Sequence, residues 1–123
     1  MYILALDFGT KNIGLAWVDT GIGVVLPFGV SNAKELPGLI NKEKIEQVVV
    51  GLPIGLNGKE NANTERVRKF AKDLENKITA PVAFFDERFS SAAADQMGEG
   101  VSRDEKSAMI ILEDYLSRMR KGS

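Results

Sequence analysis

The chain contains neither cysteine nor histidine among its 123 residues. Without thiols it can build no disulfide, no thiolate zinc site and no cysteine nucleophile. Without imidazole, a Ser-His triad, a histidine general base and a histidine-ligated zinc centre are excluded as well. Hydrolytic chemistry is left to carboxylates, lysines, hydroxyls, or a metal ion held by oxygen. An excess of charge of one sign is also lacking: 16 Lys and Arg stand against 17 Asp and Glu, a net charge of −1. Bulk electrostatics therefore do not mark a nucleic-acid binder, and any such binding needs local positive charge or metal ions. No apolar run approaches the roughly 20 residues that span a bilayer. The first residues read at once as a strand rather than a targeting segment. A cytoplasmic protein without membrane contact is expected.

The length suits one domain and is too short for two separate cores, so residues 1–120 are read as one domain with a frayed tail at 121–123. Tyr2 to Asp7 is a short apolar run ending in a carboxylate, as expected of a strand buried on both faces. Ile13–Val18 and Val24–Val30 read as two further strands, joined by the glycine-containing link Asp19–Gly23. Ala33–Lys44 suits a helix with Pro37 in its first turn, where the missing N–H costs little. Gln47–Gly51 reads as a buried strand and Leu52–Gly58 as a long turn. Asn61–Lys77 carries Val67, Phe70, Ala71 and Leu74 at helical spacing. Val82–Phe85 is a fifth strand. Ser102 to Glu105 fits a capping box opening a last helix whose inward stripe is Ala108, Ile111, Leu112, Tyr115, Leu116 and Met119. The order β-β-β-α-β-α-β-α predicts an α/β fold: a mixed five-stranded sheet with helices on both faces.

Three acidic features fall at element ends: Asp7 after the first strand, Asp86 and Glu87 after the fifth, and Asp104 in the first turn of the last helix. Ligands of open α/β sheets gather outside the carboxyl ends of strands. Asp104 precedes Ala108 by four residues and so shares the inward face of its helix. Carboxylates gathered from such distant positions repel unless protonated or bridged by a cation. Magnesium or manganese, which prefer oxygen ligands, would resolve the repulsion. Two such ions about 3.5–4 Å apart can serve phosphodiester hydrolysis without histidine. Each acid also has a structural explanation. Asp104 complements the helix dipole, Asp7-Phe-Gly9 is a turn sequence, and Asp86-Glu-Arg88 makes a solvated loop with an ion pair. Glu105 is read as a cap rather than a ligand. Lys11, Lys59, Arg66, Arg68, Lys69 and Arg88 are candidates for phosphate contact, with Arg88 foremost because it adjoins the acids. Trp17, Phe84 and Phe85 are read as core rather than as base-stacking platforms.

Four stretches taken together resemble the YqgF/RuvX family of RNase H-like proteins, described both as Holliday junction resolvases and as pre-16S rRNA nucleases. Ala5-Leu-Asp-Phe-Gly-Thr-Lys-Asn-Ile-Gly-Leu-Ala16 resembles the family's opening Asp-x-Gly-x-Lys-x-x-Gly motif. Val49-Val-Gly-Leu-Pro53 with Asn57-Gly58 and Glu65–Phe70 is similar to its centre. Phe85-Asp-Glu-Arg88 with Ser90, and Asp104 with Ala108 and Ile110–Leu116, match its remaining motifs. The resemblance covers nearly the whole chain in order. It implies a catalytic, metal-holding set of Asp7, Glu87 and Asp104, with Asp86 as a fourth member or an orienting neighbour. It also implies Mg2+ or Mn2+, as two ions once substrate is bound, and nucleic-acid contacts from Lys11, Asn57, Arg88 and Arg103. The implied activity is a nuclease on structured RNA, in 5′-end processing of pre-16S rRNA. The alternative is a Holliday junction resolvase acting on branched DNA, which requires a dimer; monomer and weak homodimer both stay open. Two departures stand out. Met97–Arg103 supplies only Arg103 where relatives carry a basic stretch, and Ser107-Ala108 replaces an alanine pair. A weakly basic loop implies weaker duplex or junction binding, because phosphate neutralisation supplies much of that affinity. Two further readings stay in view: an actin-like nucleotide module, suggested by Asp7–Thr10, and a non-catalytic RNA-binding domain.

Overall fold

A computed structural model describes residues 1–9, 11–54, 57–86 and 100–121. Strands β1 (Tyr2–Phe8), β2 (Ile13–Asp19) and β3 (Val25–Ser31) form an antiparallel meander. Helix α1 (Leu36–Lys42), strand β4 (Gln47–Leu52), helix α2 (Ala62–Glu75), strand β5 (Val82–Asp86) and helix α3 (Arg103–Lys121) follow. The sheet order is β3-β2-β1-β4-β5, with β1, β4 and β5 parallel. This is the expected mixed five-stranded sheet. Because those three strands run parallel, Asp7, Leu52 and Asp86 all lie at the carboxyl ends of their strands, at the same end of the sheet.

Side chains alternate across a strand, so each strand divides its residues between two cores. Leu4, Leu6, Val48 and Val50 pack with Leu36 and Ile40 of α1 and with Val67, Ala71 and Leu74 of α2. Ile3, Ala5, Ala16, Val18, Val49 and Phe85 pack beneath Ala108, Ile111 and Leu112 of α3. Helices thus cover both faces, two on one side and one on the other. The β1–β2 register is unbroken from Tyr2↔Asp19 to Phe8↔Ile13. The odd-numbered series Ile3, Ala5, Asp7 therefore stays on the α3 face to the end of β1.

Three details differ from the sequence pattern. Helix α1 is seven residues, not the twelve expected from 33 to 44. At its start the Asn32 side chain accepts the Glu35 N–H at 2.9 Å and holds a turn there. At its end Lys44 adopts a left-handed φ of 56°, and the Ile45 N–H returns to the Ile40 carbonyl, which reverses the chain. Met119 is half exposed, so the inward stripe of α3 stops at Leu116. Of the aromatic residues read as core, Phe85 is buried but Phe84 is partly exposed, with the Arg68 guanidinium 5.2 Å above its ring. Trp17 is half-buried between Tyr2 and Phe28.

Candidate active site

Asp7 is half-buried near the carboxyl end of β1, and its antiparallel partner on β2 is Gly14. Paired Cα atoms in such a ladder lie about 4.5–5.5 Å apart. Gly14 shares the α3 face with Asp7, and its missing side chain is filled by the start of α3. A Cβ placed on Gly14 would collide with the Asp104 carbonyl and stand 2.9 Å from the Asp104 Cβ. Asp104 is therefore seated on a position beside Asp7 that carries no side chain. Two acids 97 residues apart in the chain share one end of one sheet face.

The first turn of α3 is held by two sets of bonds. Ser102 Oγ accepts the Glu105 N–H at 3.2 Å, while Glu105 Oε1 accepts the Ser102 N–H at 3.2 Å and its hydroxyl at 2.9 Å. This is the expected capping box. Glu105 does more than cap, because its Oε2 accepts the Gly29 N–H of β3 at 2.8 Å. Gly29 lies at a bulge, where the register passes from Leu15↔Gly29 to Ala16↔Pro27, and its φ of +92° favours glycine. Partial burial pushes the Glu105 carboxyl up, but the bonds from Ser102 and Gly29 outweigh it and hold it below the ordinary glutamate range.

The remaining candidates divide. Glu87 and Arg88 lie outside the described residues. Asp86 pairs with Leu52 and follows Phe85, which belongs to the α3 face, so alternation turns Asp86 toward the α1 and α2 side. Lys11 is exposed in the β1–β2 connection, and Arg103 is exposed as the first residue of α3. Asn57 is exposed and its side chain accepts the Lys59 N–H at 3.0 Å, which shapes the turn after β4. Arg68 is engaged elsewhere: it forks onto Glu60 at 2.6 and 3.0 Å and covers Phe84. Those bonds hold the Glu60 carboxyl below its ordinary range and raise the Arg68 guanidinium. Among the described residues, no group of three or more His, Cys, Asp and Glu could hold a metal. Asp7 and Asp104 thus lie at one end of one sheet face, and Glu87 falls outside the described residues.

Residues 1–118 match the family RuvX, described as Holliday junction resolvase. The chain belongs to that family. A RuvX relative from Maridesulfovibrio salexigens, named "Putative pre-16S rRNA nuclease", is 37% identical over 96% of this chain and 99% of its own. One from Methylobacillus flagellatus with the same name is 40% identical over 92% of this chain and 88% of its own. The RuvX chain also has the fold of the Thermus thermophilus RuvC solved with a Holliday junction substrate. That match has a TM-score of 0.68 at 12% identity and covers 100% of this chain and 97% of the other. The RNase H-like fold and the nuclease class both follow from these matches. Two glycines shape the candidate site without any chemistry of their own, Gly14 and Gly29. Gly14 was visible as a glycine inside a strand, a position where another backbone often approaches closely. The Glu105–Gly29 bond spans 76 residues and leaves no local signal.

Proposed function

We propose that Asp7, Glu87 and Asp104 hold Mg2+ or Mn2+ and that this nuclease cleaves phosphodiester bonds in structured RNA. By the names its relatives carry, that RNA is pre-16S rRNA. The observation that carries the reading is Asp104 seated over Gly14 beside Asp7. Two carboxylates started from adjacent positions on one face repel unless a proton or cation intervenes. The donor set is all oxygen, with no imidazole or thiol anywhere in the chain, which suits a hard divalent cation. Bound there, the metal supplies activation of water and stabilisation of the leaving oxygen.

The chain's own residues fix where that happens. Asp7 is held by the β1–β2 ladder and Asp104 by the capped first turn of α3, so neither acid depends on a loose loop. The reading requires Glu87 to join them on the α3 face, opposite the side to which Asp86 turns. Asp86 is then a neighbour of the site rather than a ligand. Lys11, Arg88 and Arg103, with the Asn57 turn, are the groups assigned to the nucleic-acid backbone. One assay tests the reading: cleavage of precursor 16S rRNA with and without Mn2+, in wild type and Asp7→Asn. Metal-dependent cleavage lost in the variant is expected, and equal activity in the two would sink the proposal.

The family description favours a second substrate, a four-way DNA junction. Resolution needs two sites acting on opposed strands, hence a symmetric dimer. Junction DNA in the same assay, with light scattering of the complex, separates the two: a monomer that cleaves only RNA excludes it.

A further inference from the structure

We propose that Glu105 is a positioning residue for the metal site, setting the place of Asp104 through its bond to the β3 bulge. The inference rests on the metal-site reading above. A capping box is complete once the N3 side chain returns to the N-cap N–H, and Glu105 Oε1 does this alone. The second oxygen is not needed for the cap. It reaches out of the helix to Gly29, on a strand at the edge of the sheet. The bulge serves this contact, because Gly29 gives its N–H to Glu105 and adopts a backbone conformation that other residues rarely take.

The consequence falls on the residue next door. Asp104 rests against Gly14 with no space for even a methyl group between them. Gly14 sets its height above β2, and the Glu105–Gly29 bond sets how far the first turn can slide along the sheet. Releasing that bond frees the turn to shift while the cap keeps it helical. Both Glu105 oxygens already accept N–H or O–H donors, which separates the residue from a direct ligand. Glutamine is the informative replacement: it keeps size and one acceptor oxygen but puts an NH2 where the other must accept.

The test is Mn2+ affinity by electron paramagnetic resonance on the whole protein, beside its metal-free melting temperature and the Gly29 amide signal by NMR. Glu105→Gln and Glu105→Ala should weaken Mn2+ binding about 10- to 100-fold, as loss of groups that orient ligands does elsewhere. The Gly29 amide should shift in both. Ser102→Ala removes only the cap hydroxyl; it should lower the melting temperature yet bind Mn2+ within about twofold of wild type, since the Gly29 link remains. If Glu105→Ala fails to fold, Glu105→Gln decides. Mn2+ affinity within about twofold of wild type in a folded Glu105 variant overturns the positioning role. Wild-type affinity in either Asp7→Asn or Asp104→Asn would overturn the shared metal site itself, and the positioning role with it.

Discussion

Helices α2 and α3 begin by the same device, on opposite faces of the sheet. In each a capping box closes the first turn, and the N3 side chain reaches past its own helix to another part of the chain. At α2, Asn61 accepts the Asn63 and Thr64 N–H groups; Thr64 Oγ1 accepts the Asn61 N–H and donates to the Pro53 carbonyl after β4. At α3, Glu105 accepts from Ser102 and from Gly29 of β3. The difference lies in what the turns carry and what they cover. The turn of α2 presents exposed Asn63 at its second position, and its anchor Thr64 is wholly buried. The turn of α3 presents Asp104 at the same position, over a glycine beside Asp7. An anchored helix start is therefore a general means of fixing a fold. At α3 the same device also brings an acid onto an empty position next to another acid, which makes that turn the candidate site.

Breaking the α3 side should cost activity. Gly14→Ala forces the Asp104 backbone away from β2, and a displacement near 1 Å can cost about 100-fold in rate. Cleavage should fall at least that far, with a stability loss of about 1–3 kcal/mol from overpacking, read by a denaturant titration. A variant that cleaves normally would show that the close approach is not required.

Breaking the α2 side should cost stability instead. Thr64→Val leaves the Pro53 carbonyl and Asn61 N–H without their hydroxyl partner in a buried setting, worth about 2–3 kcal/mol. Mn2+ affinity should stay within about twofold of wild type. A large loss of affinity at unchanged stability would reverse the assignment of the two helix starts.

The smallest effect is expected at Arg68. Arg68→Ala removes a solvent-screened, exposed ion pair and the cover over Phe84, so its stability cost should be the smallest of the three. Cleavage should fall less than twofold, since the guanidinium is already committed to Glu60. The Glu60 carboxyl is depressed by that partner, so its stabilisation is full above the unfolded value near 4.3 and is lost as pH falls through the folded one. The stability gap between wild type and Arg68→Ala should thus narrow below about pH 4; a gap that widens on acidification would contradict the pairing.

Much of this was legible because it is local. The alternation in Tyr2–Asp7, the helical stripe through Val67, Ala71 and Leu74, and the Ser102–Glu105 box each declare an element within a few residues. Element order predicted a mixed sheet, but the parallel run of β1, β4 and β5 that brings Asp7 and Asp86 to the same end of the strands is a finding of the structure. The unread features are contacts between distant segments. The shortening of α1 depends on Asn32 and a left-handed Lys44, and non-glycine residues seldom take that conformation. Gly14 shows its purpose only once α3 lies on it. The opposite facing of Asp86 needed the register of β5 against β4, which sequence spacing does not contain.

The most direct measurement is a Mn2+ titration of wild type, Asp7→Asn and Asp104→Asn, followed by electron paramagnetic resonance. A site shared across the Gly14 position predicts that either substitution alone lowers affinity at least about tenfold, as expected when a ligand of a divalent ion loses its charge. Wild-type affinity in either variant would contradict it, because the two acids would then not hold one metal between them.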